Sequence, residues 1–346
     1  MNDKKLLEVK DLKVSFFTPA GEVKAVGGIT YDLNNGEIMG IVGESGSGKS
    51  VEAYSILGLL QSPGKVIGGS VTFEGEDVLA FDKRKMESFR GNKVSMIFQN
   101  PMTCLNPVYT VGNQLIEALR THNRTISRAQ AGQRAVEMLK LVGINNPEKR
   151  MKQYPHEFSG GMRQRVMIAM GLICSPRLLI ADEPTTALDV TIQAQILELM
   201  KDIQSKTHMA IIFITHNLGV VAEICDKVSV MYAGKIVEQG SVNDIFYSPG
   251  HPYTLGLLRS MPRVDAQEYE RLIPIEGTPV DMLNPPEGCP FAPRCQQCMK
   301  LCLQKMPPYV ELGGGHRAAC WLRVQEQVNG VDTAGRADSG EADSHA

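Results

Sequence analysis

Short apolar runs recur along the chain between polar and glycine-rich connections. Runs of this length, with nearly every position apolar, are typical of strands buried on both faces of a parallel sheet. Such runs at residues 37–42, 94–98, 178–181 and 210–214 predict a parallel core. The opening segment instead alternates apolar and polar residues from 7 to 16, with turn signals at 19–21 and 34–36, and therefore predicts an antiparallel region.

The pattern becomes helical between the second and third runs. Apolar residues recur at helical spacing over about 111–173, which predicts a helical insertion within a subdomain of about residues 100–175. Near residue 263 the chain becomes rich in proline and cysteine, and from about 328 in small and polar residues. We therefore divide it into a main domain (1–263), a cysteine-rich extension (264–327) and a tail (328–346) that is predicted to be disordered.

Composition limits the class of protein. The chain has 346 residues, 43% hydrophobic and 21% charged, as expected for a globular protein of about two domains. A net charge of −2 disfavours general nucleic-acid binding. The start has no apolar segment of signal-peptide length, and the longest apolar stretch, 166–174, is far shorter than a membrane span. We expect a cytosolic protein, for which any membrane-spanning partner is another chain.

Residues 43–50 read Gly-Glu-Ser-Gly-Ser-Gly-Lys-Ser, a complete G-x-x-x-x-G-K-S phosphate loop. The apolar run before it and the helical pattern after it give the strand–loop–helix context that this motif needs. Its glycines let backbone N–H groups surround a phosphate. Lys49 supplies charge for the outer phosphates, and the Ser50 hydroxyl is placed to bind Mg²⁺. The alternative is a Gly/Ser turn before an ordinary helix, but the context favours a nucleoside triphosphate site.

Two adjacent carboxylates, Asp182 and Glu183, follow the apolar run at 178–181. A strand this apolar has little reason to end in paired acids unless they face a cation or a reacting water. We expect Asp182 to hold the Mg²⁺ shell and Glu183 to polarise a water aimed at the γ-phosphate. The alternative is a strand end that merely reaches solvent.

A helix start lies between these two motifs, at residues 158–165, which read Phe-Ser-Gly-Gly-Met-Arg-Gln-Arg. Ser159 is a good N-cap, and the two glycines permit close approach of the backbone to an anion. Alone, this pattern indicates only the start of a helix. Its position between the phosphate loop and Asp182 favours a functional interpretation.

Together these motifs resemble the ATP-binding cassette (ABC) ATPases of membrane transporters, over about residues 5–260. The matching pieces, in the family's order, are the phosphate loop, Gln99, residues 158–162, Asp182-Glu183, Thr186-Ala187-Leu188-Asp189 and His216. Phe158 in place of Leu and Met162 in place of the commonest Gln are mild departures. The resemblance implies an α/β fold of the ABC nucleotide-binding type, with a RecA-like parallel core, an antiparallel β subdomain and a helical subdomain.

The resemblance also implies the residues that contact ATP. Phe16 is expected to stack on adenine, and Phe17 is a weaker candidate because it points to the opposite strand face. The expected contacts from the phosphate loop are Gly43, Glu44, Ser45, Gly46, Ser47, Gly48, Lys49, Ser50 and Val51.

For catalysis, the resemblance implies a set formed by Glu183, His216 and Gln99. His216 is expected to hydrogen-bond the γ-phosphate, although a lone histidine at a strand end is more often structural. Gln99 completes the Mg²⁺ and water shell, so that Mg²⁺ is held by Ser50, Gln99 and Asp182.

Members of this family share their active sites between two cassettes. Ser159, Gly160 and Gly161 then act in trans on the ATP of the partner, and Asp189 lies in the D-loop. Because each motif occurs once, the chain is expected to form half of an ATPase dimer.

The C-terminal part narrows the resemblance. Residues 250–254, Gly-His-Pro-Tyr-Thr, resemble the extension of peptide- and nickel-importer ATPases, and the D-type subunit of oligopeptide/dipeptide importers is the best match. This implies an ATP hydrolase at the cytoplasmic face of a bacterial inner membrane. Its expected partners are a second, non-identical cassette, two permease subunits and, indirectly, an extracytoplasmic binding protein, with no nucleic acid. The alternatives are an ATPase for nickel or another metal chelate, and a soluble ABC protein of translation or DNA repair.

Five of the eight cysteines lie between residues 289 and 320. In a reducing cytosol such a cluster favours a metal over disulfides, and four thiolates suit zinc or an iron–sulfur cluster. Reduced thiols without metal are the third possibility. The resemblance implies a 4Fe–4S cluster, with Cys298 as the extra cysteine. Its ligands would be Cys289, Cys295, Cys302 and Cys320.

Overall fold

The computed structural model describes residues 5–100, 104–186, 189–261 and 273–337, with side chains through residue 329. Within these ranges the strands form one sheet of eight strands and one of four. The chain therefore has the predicted α/β fold class. Over the same ranges, helices that combine the length and the hydropathy needed to cross a bilayer are absent.

The strands in chain order are β1 (Lys5–Thr18), β2 (Gly21–Asn34), β3 (Ile38–Val42), β4 (Gly64–Phe73), β5 (Glu76–Asp77), β6 (Val94–Ile97), β7 (Leu178–Asp182), β8 (Ala210–Thr215), β9 (Lys227–Tyr232), β10 (Lys235–Ser241), β11 (Tyr309–Gly313) and β12 (His316–Ala319). The smaller sheet has the order β2-β1-β4-β5 and is antiparallel. This confirms the prediction from the alternating pattern of the opening segment.

The larger sheet has the order β11-β12-β10-β9-β3-β8-β7-β6. The strands from β9 to β6 are parallel neighbours, and β3, β6, β7 and β8 are the four apolar runs of the sequence. Buried strands of this kind end at one edge of the sheet, where the connections that follow them meet. The phosphate loop, Gln99, Glu183 and His216 all follow such strands.

The helices in chain order are α1 (Lys49–Ile56), α2 (Lys83–Phe89), α3 (Val111–His122), α4 (Arg128–Leu141), α5 (Pro147–Arg150), α6 (Gly160–Leu172), α7 (Val190–Thr207), α8 (Leu218–Ile224), α9 (Val242–Tyr247), α10 (Pro252–Arg259), α11 (Lys300–Gln304) and α12 (Trp321–Ala337). The predicted insertion is helical, from α3 to α6. Thr110, Ser127 and Ser159 cap α3, α4 and α6 by accepting backbone N–H groups.

Three clusters of buried apolar side chains hold the helices and the two sheets together. One packs the helices of the insertion against the parallel strands, and a second fills the space between the two sheets. The third lies under the cysteine-rich extension and joins its Phe291 to Tyr232 and Tyr253 of the main domain. The extension therefore shares a core with the main domain.

The extension also adds strands to the main sheet. The hairpin of β11 and β12 pairs with β10, with Glu238 opposite Ala318. The buried Glu238 carboxylate accepts hydrogen bonds from the N–H groups of Gly250 and His251 and contacts His316 at 2.8 Å. Helix α12 then crosses the predicted boundary at 328. The boundary at 263 and the tail from 338 lie outside the described residues, so the predicted division of the chain stays a prediction.

Candidate functional site

The phosphate loop joins β3, whose residues are all buried, to α1. Gly46 and Gly48 have φ of +77° and +100°, in the left-handed region that favours glycine. A Cβ at Gly48 would lie 2.4 Å from the carbonyl oxygen of Ala25 in β2, so the loop packs directly on the antiparallel sheet. Ser47 is buried beneath it and Ser45 is exposed. The antiparallel sheet thus supports the loop conformation that the glycines allow.

Lys49 is buried, and its ammonium group folds back on the loop. Nζ donates hydrogen bonds to the carbonyl oxygens of Gly43 and Glu44 at 2.8 and 2.9 Å. Burial lowers the pKa of Lys49, and the carboxylates of Glu183, Asp182 and Glu44 oppose this effect. A desolvated positive charge therefore stands where the motif receives the outer phosphates of a nucleotide.

Asp182 lies beside Ser50, whose hydroxyl donates a hydrogen bond to Asp182 Oδ1 at 2.9 Å. The structure thus brings together two of the predicted Mg²⁺ ligands. Burial raises the pKa of Asp182, and the hydrogen bond from Ser50 opposes that rise. A hydroxyl and one carboxylate are the oxygen donors that Mg²⁺ takes beside substrate phosphates, so these residues fit the ion.

Three side chains converge on Glu183. Gln99 Nε2 and Thr186 Oγ1 donate to its Oε2 at 2.7 and 3.0 Å, and His216 Nδ1 lies 3.0 Å from its Oε1. Burial pushes the pKa of Glu183 up, but the hydrogen bonds from His216 and Thr186 outweigh burial and leave the pKa below its ordinary value. Glu183 is therefore ionised at neutral pH, as a general base must be.

The backbone of Glu183 is also unusual. Its φ of +46° lies in the left-handed region, which costs a residue with a side chain about 1–2 kcal/mol. Its N–H donates to the carbonyl oxygen of Ile214 in β8 at 2.9 Å. Backbone strain held in place by surrounding structure is concentrated at functional sites.

The signature residues lie on the surface at the start of α6. Ser159 and Gly160 are exposed, and the Ser159 hydroxyl accepts the N–H of Met162. Gly161 packs beside α7, where an added Cβ would lie 2.9 Å from Ile192 Cγ2. Among the described residues, hydrogen bonds from these three positions to the phosphate loop are absent.

Asp189 caps α7, because its Oδ1 accepts the N–H of Ile192 at 2.9 Å. Ala187 and Leu188, the other members of the matched segment, lie outside the described residues.

Phe16 is half-buried in β1, opposite Val23 of β2. A Cβ at Gly64 would lie 2.7 Å from its ring, so glycine makes room for the aromatic side chain. Phe17 is 48% exposed. Phe16 thus lies in the sheet that supports the phosphate loop, and its stacking on adenine stays a prediction. Val51 packs on the apolar cluster between the sheets.

Two contacts on Glu44 are not predictable from the motifs. Its N–H donates to Tyr253 Oη at 2.9 Å, and its carboxylate forms two hydrogen bonds with Arg294 of the extension. Tyr253 belongs to the Gly-His-Pro-Tyr-Thr segment, which is therefore the one sequence signal that could have indicated a contact with the loop. Arg294 is marked only by its place before Cys295.

Four cysteines of the extension line one small cavity of about 10 Å³, together with His251, Phe291 and Trp321 among others. They are the predicted set, Cys289, Cys295, Cys302 and Cys320. Burial raises the pKa of Cys289 to about 12 and also raises the pKa of Cys295 and Cys320. These thiols are therefore protonated at neutral pH unless a metal displaces their protons.

Cys298 is exposed and does not line this cavity. Within the described part of the chain, groups of three or more Cys, His, Asp or Glu side chains placed to hold one metal ion are absent. The four thiols therefore share a cavity without being gathered around a single point.

Comparison with known proteins identifies the family. A model described as "ABC transporter" matches residues 26–186, and one described as "Oligopeptide/dipeptide transporter, C-terminal region" matches residues 237–302. The chain is 55% identical to the oligopeptide transport ATP-binding protein OppD of Bacillus subtilis, over 92% of this chain and 89% of that protein. The chain belongs to the ABC ATPases of the oligopeptide/dipeptide transporter family.

Other relatives extend this similarity. The dipeptide transport ATP-binding protein DppD of Bacillus subtilis is 54% identical over 94% of this chain and 97% of its own length. OppD of Escherichia coli is 53% identical over 93% of this chain and 94% of its own length. The predicted family and the ATP hydrolase class are confirmed.

Solved structures share the ABC fold. CbiO1 of Clostridium perfringens, part of an ABC transporter complex, has a TM-score of 0.61 at 26% identity, over 71% of this chain and 92% of its own. A dimeric ATP-binding cassette in a post-hydrolysis state with ADP and Pi has a TM-score of 0.62 at 24% identity, over 68% of this chain and 98% of its own. Both cover the nucleotide-binding fold and leave part of this ABC ATPase unmatched.

Proposed function

We propose that this ABC ATPase hydrolyses ATP to drive the import of oligopeptides or dipeptides through partner permeases. The observation that carries the proposal is the convergence of Gln99, Thr186 and His216 on the Glu183 carboxylate. The relatives' names concern oligopeptide and dipeptide transport, which favours peptide cargo over a metal chelate.

In the proposed reaction, Glu183 accepts the proton of the water that attacks the γ-phosphate. Lys49 neutralises charge on the outer phosphates, and the His216 ring contacts the γ-phosphate. Mg²⁺, bound when ATP is bound, neutralises phosphate charge and would be held by Ser50, Asp182 and Gln99. The hydrogen bonds among these side chains hold the groups in place before the nucleotide arrives.

The active site is proposed to be shared with a second cassette. The exposure of Ser159 and Gly160 supports this, because residues that close on a partner's ATP must lie on the surface. The partner is proposed to be a non-identical ATPase, and the pair to sit on two permease subunits at the cytoplasmic face of the membrane. An extracytoplasmic binding protein would deliver the peptide.

The shared site is tested by comparing ATP hydrolysis of the purified chain and of the assembled transporter. We expect weak hydrolysis by the chain alone and strong activation on co-assembly with the second cassette and the permeases. Full activity in a preparation shown to be monomeric would contradict a shared site.

Cargo is tested in vesicles that hold the assembled transporter with ATP on the cytoplasmic side. We expect accumulation of labelled dipeptides or oligopeptides, and none with the Glu183→Gln variant. Accumulation of nickel without peptide would replace the peptide proposal by the metal-chelate alternative.

For the extension we propose a 4Fe–4S cluster ligated by Cys289, Cys295, Cys302 and Cys320. Support comes from their placement around one cavity, with Cys298 outside it. Four thiolates suit a 4Fe–4S cluster, whose irons bind one thiolate each. Zinc remains the alternative metal. When bound, the cluster would cross-link the extension.

A further inference from the structure

The cysteine-rich extension contacts the phosphate loop through Arg294. Its Nη1 and Nη2 donate to Oε2 and Oε1 of Glu44 at 2.6 and 3.0 Å. The Arg294 side chain is 4% exposed and that of Glu44 26%. Two-point pairs between guanidinium and carboxylate are the strongest and most directional ion pairs, and this one is screened little by solvent.

The extension itself fixes the guanidinium. Arg294 Nε donates to the carbonyl oxygen of Glu276 at 3.0 Å, and Nη2 donates to that of Ile275 at 3.2 Å. On the side of the main domain, Nη1 lies 3.3 Å from Tyr232 Oη. The position of the Arg294 charge therefore follows the position of the extension.

The Glu44 carboxylate lies close enough to the nucleotide site to matter for an anion. It acts on Lys49 by raising the pKa of that ammonium group, and the Glu44 carbonyl oxygen accepts a hydrogen bond from Lys49 Nζ. A negative charge in the loop that receives a triphosphate repels it unless a cation neutralises that charge. Arg294 is the cation that contacts the Glu44 carboxylate.

We propose that Arg294 is a positioning residue for nucleotide binding. By orienting and neutralising the Glu44 carboxylate, it keeps the phosphate loop receptive to ATP, so that docking of the extension sets the affinity for ATP. The inference rests on the proposed ATP site and not on what fills the cysteine-lined cavity.

The test is the dissociation constant for Mg²⁺-ATP of the purified full-length chain, measured by titration with a fluorescent ATP analogue. Arg294→Gln should weaken binding about tenfold, as expected for a charged hydrogen-bonded contact worth somewhat over 1 kcal/mol. Arg294→Lys, which keeps the charge but loses the two-point geometry, should recover part of this loss.

The matched control is Arg317→Gln. Arg317 also joins the extension to the main domain, but its hydrogen bonds go to Gln239 and Thr30. This variant should bind ATP within about twofold of the wild type, since the hydrogen bonds that it loses go to Gln239 and Thr30 and not to the Glu44 carboxylate. Equal weakening by Arg317→Gln and Arg294→Gln would overturn the proposal, because general loosening of the extension would then explain both.

The double variant Arg294→Gln/Glu44→Gln tests whether Arg294 acts by neutralising the Glu44 carboxylate or only by holding the extension in place. We expect it to bind ATP more tightly than Arg294→Gln alone, because the unneutralised carboxylate is gone. Weaker or equal binding would reject the role of Arg294 in neutralising Glu44. If Lys49→Ala weakens ATP binding while Arg294→Gln leaves it unchanged, this inference fails and the proposed function stands. If the wild-type chain does not bind ATP, the proposed function fails.

Discussion

The nucleotide site is assembled from residues far apart in sequence, whereas most residues that line the cysteine-lined cavity lie between 289 and 322, and different interactions hold the two regions. Around Glu183 and Asp182, polar side chains are already hydrogen-bonded to one another. In the cavity, burial dominates and raises the pKa of the thiols, as for Cys289. A preorganised polar site suits a charged ligand that binds and leaves repeatedly. Buried thiols must lose their protons before they bind a metal, and this suits a metal centre that remains bound in the folded protein.

The largest expected effect concerns the chemistry of the nucleotide site. Glu183→Gln should lower ATP hydrolysis of the assembled transporter by roughly 10²-fold or more, in the range of lost general-base assistance, while ATP binding is retained. Glu198→Gln, at an exposed position of α7, is the control and should hydrolyse ATP normally. Near-normal turnover of the Glu183 variant would exclude this residue as the base.

The next effect concerns binding at the same site. Lys49→Ala removes a buried ammonium group and should weaken ATP binding by about 30-fold, the equivalent of roughly 2 kcal/mol for a charged contact. Equilibrium titration with ATP measures it. The iron content of the Lys49→Ala variant should equal that of the wild type. A loss of iron together with the loss of ATP binding would mean that the nucleotide site and the cysteine-lined cavity are not independent.

The third prediction addresses the cavity. An anaerobic preparation should be brown, with about four irons and four sulfides per chain. Serine at any one of the four lining cysteines should bleach it and lower the free energy of unfolding by about 2 kcal/mol, because the extension loses a cross-link. Iron analysis and urea unfolding measure these changes.

The matched control is Cys298→Ser, which should leave the colour and the stability unchanged, because this side chain is exposed outside the cavity. Zinc in a colourless anaerobic sample, without iron, would overturn the cluster and keep the metal site.

The smallest expected effect is a pH dependence of stability. Burial lowers the pKa of His251 to about 4, with Glu238 opposing and Arg323 assisting that shift. The unfolded chain takes up a proton on His251 near pH 6.5, whereas the folded chain takes it up only near pH 4. The free energy of unfolding therefore falls as the pH is lowered from about 6.5 towards 4. The loss between pH 7 and 5.5 should be about 1 kcal/mol in urea unfolding.

In the wild type, His251 Nδ1 accepts a hydrogen bond from the Tyr253 N–H at 3.0 Å. The substitution His251→Asn removes the titrating ring but keeps a hydrogen-bond acceptor for this N–H. This variant should therefore show a flatter dependence of unfolding free energy on pH. An unchanged slope would assign the acid sensitivity to other groups.

Much of the nucleotide site was predictable because its signals are local. The phosphate loop is contiguous, and Gln99, Glu183 and His216 each follow an apolar run, so a parallel sheet brings them to one edge. Their side chains do meet, although their roles in the reaction stay predictions. The hydrogen bond from Thr186 was not predictable, since it depends on the turn after Glu183 rather than on strand order.

The extension was harder to predict. Its proline-rich sequence indicated few regular elements, but β11 and β12 form because β10 offers them a partner. Such strands depend on tertiary pairing more than on intrinsic propensity. Arg294 and Glu44 are 250 residues apart, and no sequence pattern specifies their contact. Through this contact the extension reaches the phosphate loop.

The pairing of β12 with β10 has a consequence for the newly made chain. Until residues 316–319 have been synthesised, β10 is an edge strand whose free N–H and C=O groups can pair with another molecule. Main domains that fold before their C-terminal part is complete pass through such a state, which is prone to aggregation. In the finished protein the hairpin covers β10 and makes the five-residue β11 the edge of the sheet, and a short edge strand offers few groups for intermolecular strand pairing.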